Sequence, residues 1–121
     1  MSTPGPLEIA ARWREAVSAN DMPALGALYE PSARIWVNLA DRAYQLEEHL
    51  ARIASARAAC SSWEYEHVRC TVFDRGYVSR HRVRVVVGGK PTLTVAAVFV
   101  ELTDGRIHDM QEYLAPPRVA P

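Results

Sequence analysis

Residues 95–114 read VAAVFVELTDGRIHDMQEYL, and how they pair decides the fold. The stretch divides into two extended runs at Asp104-Gly105, a dipeptide that readily takes the positive φ angles of a two-residue hairpin turn. Such a turn sets Thr103 opposite Arg106, which carries Phe99 opposite Met110 and Ala97 opposite Glu112. One face of the hairpin then holds Val95, Ala97, Phe99, Met110 and Leu114 with a single carboxylate, Glu112. A carboxylate beside a small residue on an otherwise apolar sheet face is the first place to look for chemistry.

Upstream of the hairpin, residues 77–87 and 92–103 flank Gly88-Gly89-Lys90-Pro91, and residues 63–74 precede Asp74-Arg75-Gly76, so strands follow one another as a meander. Before them, residues 45–60 are rich in Ala, Leu, Glu and Arg, with Leu46, Leu50, Ile53 and Ala54 as the stripe of a helix. Residues 33–39 have strand propensity and set Arg34, Trp36 and Asn38 on one face, Ile35 and Val37 on the other. At the start, Ile9, Trp13, Ala16 and Val17 recur at helical spacing after a Pro-rich lead-in. Asn20-Asp21 stops that helix. Asp21 and Pro23 begin a second, short one through Met22, Leu25, Leu28 and Tyr29, which Pro31 ends.

Three helices and a meander of long strands, with one strand inserted after the second helix, read as an α+β fold. The helices must bury their stripes on one face of a strongly curved sheet. Residues 92–103 are apolar on both faces, so the outer face needs a second cover, and with no helix left over that cover is a second copy of the chain. The sequence therefore predicts one domain over residues 1–121, with 7–115 as its ordered core and 116–121 as a frayed tail. The same outer face predicts a homodimer.

Composition narrows the function. Formal net charge is zero, which gives no basic stripe for nucleic acid. The two cysteines, Cys60 and Cys70, are too few for a disulfide scaffold or a zinc site, and read as reduced thiols of a cytoplasmic protein. No signal peptide is visible, and no apolar run approaches the ~20 residues of a membrane span. No metal cluster, phosphate loop or Ser/His/Asp pattern stands out, so neither metal nor cofactor is expected.

Taken in order, Trp13, Asn20-Asp21, Leu25, Leu28-Tyr29 and Ala33, then Ala97-Val98-Phe99, Asp104-Gly105-Arg106-Ile107 and Glu112-Tyr113-Leu114, resemble the nuclear transport factor 2-like superfamily. That is the cone-shaped, cystatin-like fold of ketosteroid isomerase and SnoaL-like polyketide cyclases. The resemblance spans about residues 7–115 and implies three N-terminal helices packed on a curved, mixed but mostly antiparallel sheet. It implies function only loosely, because the fold hosts isomerases, cyclases, dehydratases, epoxide hydrolases and binders. The ketosteroid isomerase positions fall on Trp13, Val37 or Trp36, and Ala96 or Ala97, none of which keeps the required group. Against limonene epoxide hydrolases, Trp36-x-Asn38 resembles the first element and Glu112 the final acid, but Arg80-His81-Arg82 lacks the middle carboxylate. Against SnoaL-like cyclases, Glu112 falls on the late acidic position that serves as base.

The resemblance and the residues together imply a cofactor-free enzyme acting on a hydrophobic small molecule, with Glu112 as acid or base. A non-catalytic ligand binder or dimeric scaffold is the alternative, and an epoxide hydrolase the weaker one. The partner of Glu112 depends on parity. With an even loop at Gly88–Pro91, Arg80 and Arg82 join Ala97 and Glu112; with an odd loop or a bulge, His81 enters instead. The candidate catalytic residues are accordingly Glu112, Arg82 and His81. Trp36, Asn38, Arg80, Ala97, Trp13, Phe99 and Met110 are the candidate pocket residues.

Overall fold

The computed structural model describes residues 3–121. Helix α1 (Pro6–Ser18) opens on Pro6, whose fixed φ suits a first helical turn, and buries Ile9, Ala10, Ala16 and Val17. Helix α2 (Met22–Gly26) is little more than one turn, capped by the Asp21 carboxylate accepting from Ala24 N at 3.1 Å. Strand β1 (Tyr29–Val37) follows at once, pairs with β2 (Arg42–Gln45), and leads into α3 (Leu46–Ala58). At the start of α3 the Glu48 carboxylate accepts from Gln45 N at 3.3 Å and from Arg42 Nη2 at 2.8 Å. Four strands complete the meander: β3 (Cys60–Phe73), β4 (Gly76–Val87), β5 (Lys90–Thr103) and β6 (Arg106–Leu114).

These strands form one mixed sheet in the order β2-β1-β6-β5-β4-β3, with β1 parallel to β6 and the other pairs antiparallel. The helices lie on the inner face, where Leu25, Ile35, Val100, Ile107 and Met110 are sealed from solvent. At roughly 25 cal/mol per Å² of apolar surface removed from water, this layer is the main stabilising term. Gly76 is required by close packing, since a Cβ there would collide with the Val100 carbonyl. No helix among the described residues is long and apolar enough to cross a membrane.

The structure corrects several sequence expectations. The third helix comes after two strands rather than one, because residues 42–45 form β2. Tyr29 belongs to β1, not to the second helix: Leu28 N closes on Leu25 O at 3.1 Å, and Tyr29 then pairs with Ile107. The expected tail instead returns as β7 (Arg118–Val119), which pairs with Leu93 and Thr92 of β5.

The most consequential correction is in the opening hairpin. Asp104 and Gly105 take φ of 51° and 76°, and Thr103 faces Arg106 as expected. The ladder then slips, because Leu102 pairs with Ile107 but Glu101 pairs with Asp109, leaving His108 as an extra residue. Beyond this bulge Val100 faces Met110 and Val98 faces Glu112. Glu112 thus shares a face with Ala96, Val98 and Val100, while Val95, Ala97 and Phe99 lie on the outer face with Tyr113.

Candidate active site

Between α1, α3 and the inner face of β3–β6 lies a cavity of about 400 Å³. Its walls are mostly apolar: Val17 and Ile53 from the helices, Trp63, Val83, Val85, Ala96, Val98 and Leu114 from the sheet. Val87, 43% exposed, marks its outer rim, and the polar groups Arg52, His81 and Glu112 gather at the inner end with Trp13 and Tyr65. The volume suits a small organic ligand.

Glu112 is 7% exposed. Burial pushes its carboxyl above the ordinary carboxylate value, an effect that the Arg52 guanidinium partly offsets. Arg52 Nη2 donates to Glu112 Oε1 at 3.2 Å, and the same nitrogen lies 3.1 Å from His49 Nδ1. An arginine can only donate, so His49 Nδ1 carries the lone pair and its proton sits on Nε2. That proton points to Tyr29 Oη at 3.1 Å, which also accepts from Trp13 Nε1 at 2.7 Å. The Tyr29 hydroxyl hydrogen then goes to Met110 Sδ at 3.7 Å. With Nδ1 lacking a hydrogen, its 3.8 Å approach to Glu112 Oε1 is a contact and not a hydrogen bond.

The Trp13, His49 and Tyr29 donors of this chain are all paired, whereas Arg52 Nε is buried without an acceptor. The chain terminates on one oxygen of Glu112; Oε2 has no partner among the described residues, although Glu112 lines the cavity. His49, wholly buried, is held neutral: burial first, then the neighbouring Arg52 charge, lower its pKa to about 3. Burial also lowers His81, with Arg14 adding to the effect, to about 4. His81 is turned inward beside Ser79, whose Oγ lies 3.1 Å from His81 Nδ1.

Glu112, His81 and Trp13 come together at the cavity, and Met110 lies beneath it against Tyr29. Arg80 and Arg82 do not join them. They pair with Ala97 and Val95, facing outward as the even two-residue loop dictates, and Arg82 and Arg84 bind Glu66 at 3.3 and 2.9 Å. Of the two parities left open, the loop takes the even one, and the His108 bulge moves Glu112 to the other face and leaves His81 as its companion. Ala97 and Phe99 are displaced outward for the same reason. Trp36 also lies outside, its ring 5.3 Å from that of Tyr113. Asn38 is used structurally, donating to Leu114 O at 3.0 Å and accepting from Leu114 N at 2.8 Å, which ties the end of β1 to β6. His108, the extra residue of the bulge, meets Glu30 at 3.3 Å.

Arg52, His49 and Ser79 are not singled out for the site by the sequence, which reads Tyr29 only as helix stripe and pocket wall. A signal for the first two was present: His49, Arg52, Ile53 and Ala56 fall at i, i+3, i+4 and i+7, one helical face carrying two polar residues. Among the described residues no group of three or more His, Cys, Asp or Glu side chains is close enough to hold a metal ion.

The same architecture recurs in solved structures. IdmH of Streptomyces antibioticus, a candidate polyketide cyclase, superposes with a TM-score of 0.80 at 17% identity, over 90% of this chain and 91% of IdmH. A protein from Catenulispora acidiphila with a ketosteroid isomerase-like fold, solved with trimethylamine, gives 0.77 at 16% identity over 93% and 86%. An epoxide hydrolase from M. tuberculosis, of the limonene epoxide hydrolase-like type, gives 0.77 at 12% identity over 93% and 84%. Identities this low carry the fold alone. No curated protein sequence matches the chain. The SnoaL-like domain model matches residues 10–110, most of the chain, ending before the cavity residues Glu112 and Leu114, and the protein belongs to the SnoaL-like domain family.

Proposed function

We propose that the protein is a cofactor-free enzyme of the cyclase, isomerase or dehydratase type, in which Glu112 transfers a proton on a hydrophobic small molecule. One observation carries the reading: a desolvated carboxylate, with one oxygen fixed by Arg52 and the other unpartnered, stands on the wall of an apolar cavity of about 400 Å³. Raising its pKa makes Glu112 a stronger base than a solvated carboxylate, and Arg52 keeps its ionised form accessible. Glu112 would take a proton from the carbon next to a carbonyl. The C–H electron pair would form a carbon–carbon double bond, and the carbonyl π pair would move to oxygen. Returning the proton elsewhere isomerises the substrate; closing the enolate carbon onto a second carbonyl cyclises it.

The test is exchange of the α-hydrogens of α-tetralone in heavy water, followed by proton NMR. The wild type should accelerate exchange, and Glu112→Gln should lose about a thousandfold of that acceleration while still binding the ketone. Exchange undiminished in Glu112→Gln would sink the proposal. Because the base acts ionised, exchange should fall as pH drops through the raised Glu112 pKa, at higher pH than for a solvated carboxylate.

A second reading, a non-catalytic ligand receptor, is favoured by Glu112 being the one carboxylate among the cavity-lining residues. The same feature weighs against epoxide hydrolysis, which needs a second acid near the position His81 holds. Ketone binding without exchange would support the receptor. On the outer face Phe99 and Trp36 both pack against Tyr113, leaving Val95, Phe99 and Tyr113 exposed, which supports a homodimer through that face.

A further inference from the structure

We infer that Ser79 and His81 are the carbonyl-recognition element of this cavity: Ser79 holds His81 in the Nε2–H tautomer, and that N–H donates to the oxygen of a flat, apolar ketone. The inference rests on the cavity being a ligand site, as proposed above, but not on turnover.

The argument begins with strand parity. Ser79 and His81 both point inward from β4, pairing with Val98 and Ala96 of β5, and both are buried. Among the described residues Ser79 Oγ has one hydrogen-bond partner, His81 Nδ1 at 3.1 Å. A buried hydroxyl that donates to nothing leaves its hydrogen unsatisfied, at a greater cost than an idle lone pair. Nδ1 is the one acceptor Ser79 has, so Ser79 donates to it and the imidazole proton sits on Nε2.

The other side of Ser79 reinforces that direction. A void of about 10 Å³, room for a single water, is lined by Ser79, His81, Tyr77 and Arg14. Arg14 is a pure donor, so it favours the Ser79 lone pairs facing it and the hydrogen facing His81. Burial and the Arg14 charge keep the ring neutral, which leaves a single N–H on it.

Nε2 has no partner among the described residues, and His81 lines the main cavity. Several other donors on the cavity wall are occupied or sealed. Arg52 Nη2 is divided between Glu112 and His49, and Trp63 Nε1 and Tyr65 Oη are buried out of reach. His81 on β4 and Glu112 on β6 are separated by β5 and offset by two residues, since His81 pairs with Ala96 and Glu112 with Val98. That puts them roughly 12 Å apart at the backbone, given an interstrand spacing near 4.8 Å and a rise near 3.3 Å. Two inward side chains on a concave face at that separation leave room for a C–C=O unit, with its oxygen at His81 and its α-hydrogen toward Glu112. The apolar remainder of the cavity, from Val83 to Val87, takes the hydrocarbon body.

Two measurements on the full-length protein test this. The first is nitrogen-15 NMR of the wild type near neutral pH, where His81 should show a protonated Nε2 and a bare Nδ1; an Nδ1–H tautomer overturns the inference. The second is calorimetric binding of β-acetonaphthone against β-isopropenylnaphthalene, which keeps the shape but replaces the carbonyl oxygen by CH₂. The ketone-to-alkene affinity ratio should drop about fivefold in Ser79→Ala and recover in Ser79→Thr, which restores the hydroxyl. A ratio unmoved in Ser79→Ala, or not restored by Ser79→Thr, overturns it. Glu112→Gln should leave the ratio intact, so failure of the proton-transfer reading and failure of this one are told apart.

Discussion

Strand β4 presents two unlike surfaces from one run of residues. Outward, Arg80, Arg82 and Arg84 alternate in reach of water, two of them pairing with Glu66. Inward, Ser79, His81, Val83 and Val85 line buried space. The outer charges cost little to keep because solvent screens them, and their ion pairs contribute correspondingly little. The inner groups are few and strongly perturbed: Glu112 is pushed up, while His49 and His81 are pushed down to about 3 and 4. On this sheet a histidine or carboxylate is pushed toward its neutral form by facing inward, and facing is decided by strand register.

The sharpest way to break that contrast is to give His108 a partner. One residue inserted between Glu101 and Leu102 would pair with it and restore an unbroken ladder, in which Met110 and Glu112 fall on the face opposite to Ile107. Ile107 and Met110 are both buried on the inner face and Glu112 anchors Arg52, so the insertion should abolish folding, seen as loss of cooperative thermal unfolding by circular dichroism. Deleting His108 instead leaves Leu102 opposite Ile107 and Glu101 opposite Asp109, and should keep the fold. A folded insertion variant would mean that β6 tolerates either register.

Next in size is a matched pair of truncations. Ile35 is fully buried between β1 and the helices, so Ile35→Ala should cost about 3 kcal/mol in urea unfolding. An equal loss from the outer-face truncation treated last would erase the distinction between the faces.

Much of this was legible in the residues, and the failures share a cause. The helices, the long meander and the Asp104-Gly105 turn followed from periodicity and turn chemistry. The bulge did not, because an extra residue in a ladder has no composition signature: RIHDM alternates as well in one register as in the other. One unforeseen residue then misplaced Ala97, Phe99, Arg80 and Arg82 relative to Glu112. Arg52 was missed for another reason. It reaches Glu112 from a helix 60 positions earlier in the chain, and long side chains crossing between layers leave no local pattern. His49 was visible as a polar residue on an apolar helical face, but its role needed Tyr29 and Arg52 on either side of it.

The inner face should also govern acid stability. Folded His49 binds its proton only near pH 3, whereas the unfolded imidazole does so near its ordinary value of about 6.5. Between those values the unfolded state holds more protons, so the contribution is complete above about pH 6.5 and drains away as pH falls toward 3. His81 acts in the same sense down to about 4. Glu112 opposes them, because its raised pKa makes the folded state the tighter proton binder just above the ordinary carboxylate range. Two histidines against one carboxylate predict that unfolding free energy falls with pH between about 6 and 5, and that His49→Gln flattens the slope by about 1.4 kcal/mol per pH unit. An unchanged slope in that variant would show that His49 titrates alike in both states.

The smallest effect belongs outside. Phe99 is 44% exposed and rests edge-on against Tyr113, with ring centroids 5.7 Å apart. In a monomer, Phe99→Ala removes part of an aromatic contact already in water and should cost less than about 1 kcal/mol. In a homodimer joined through this face, the same ring is buried in the assembly, and stability depends on protein concentration by mass action. Unfolding midpoints measured across a range of concentrations separate the two cases. A wild-type midpoint that climbs with concentration, and a Phe99→Ala midpoint that does not, is the expected result for the dimer. Midpoints that ignore concentration in both proteins would leave the outer face as solvated surface, and the contrast between the two faces of β4 would then be one of water against cavity alone.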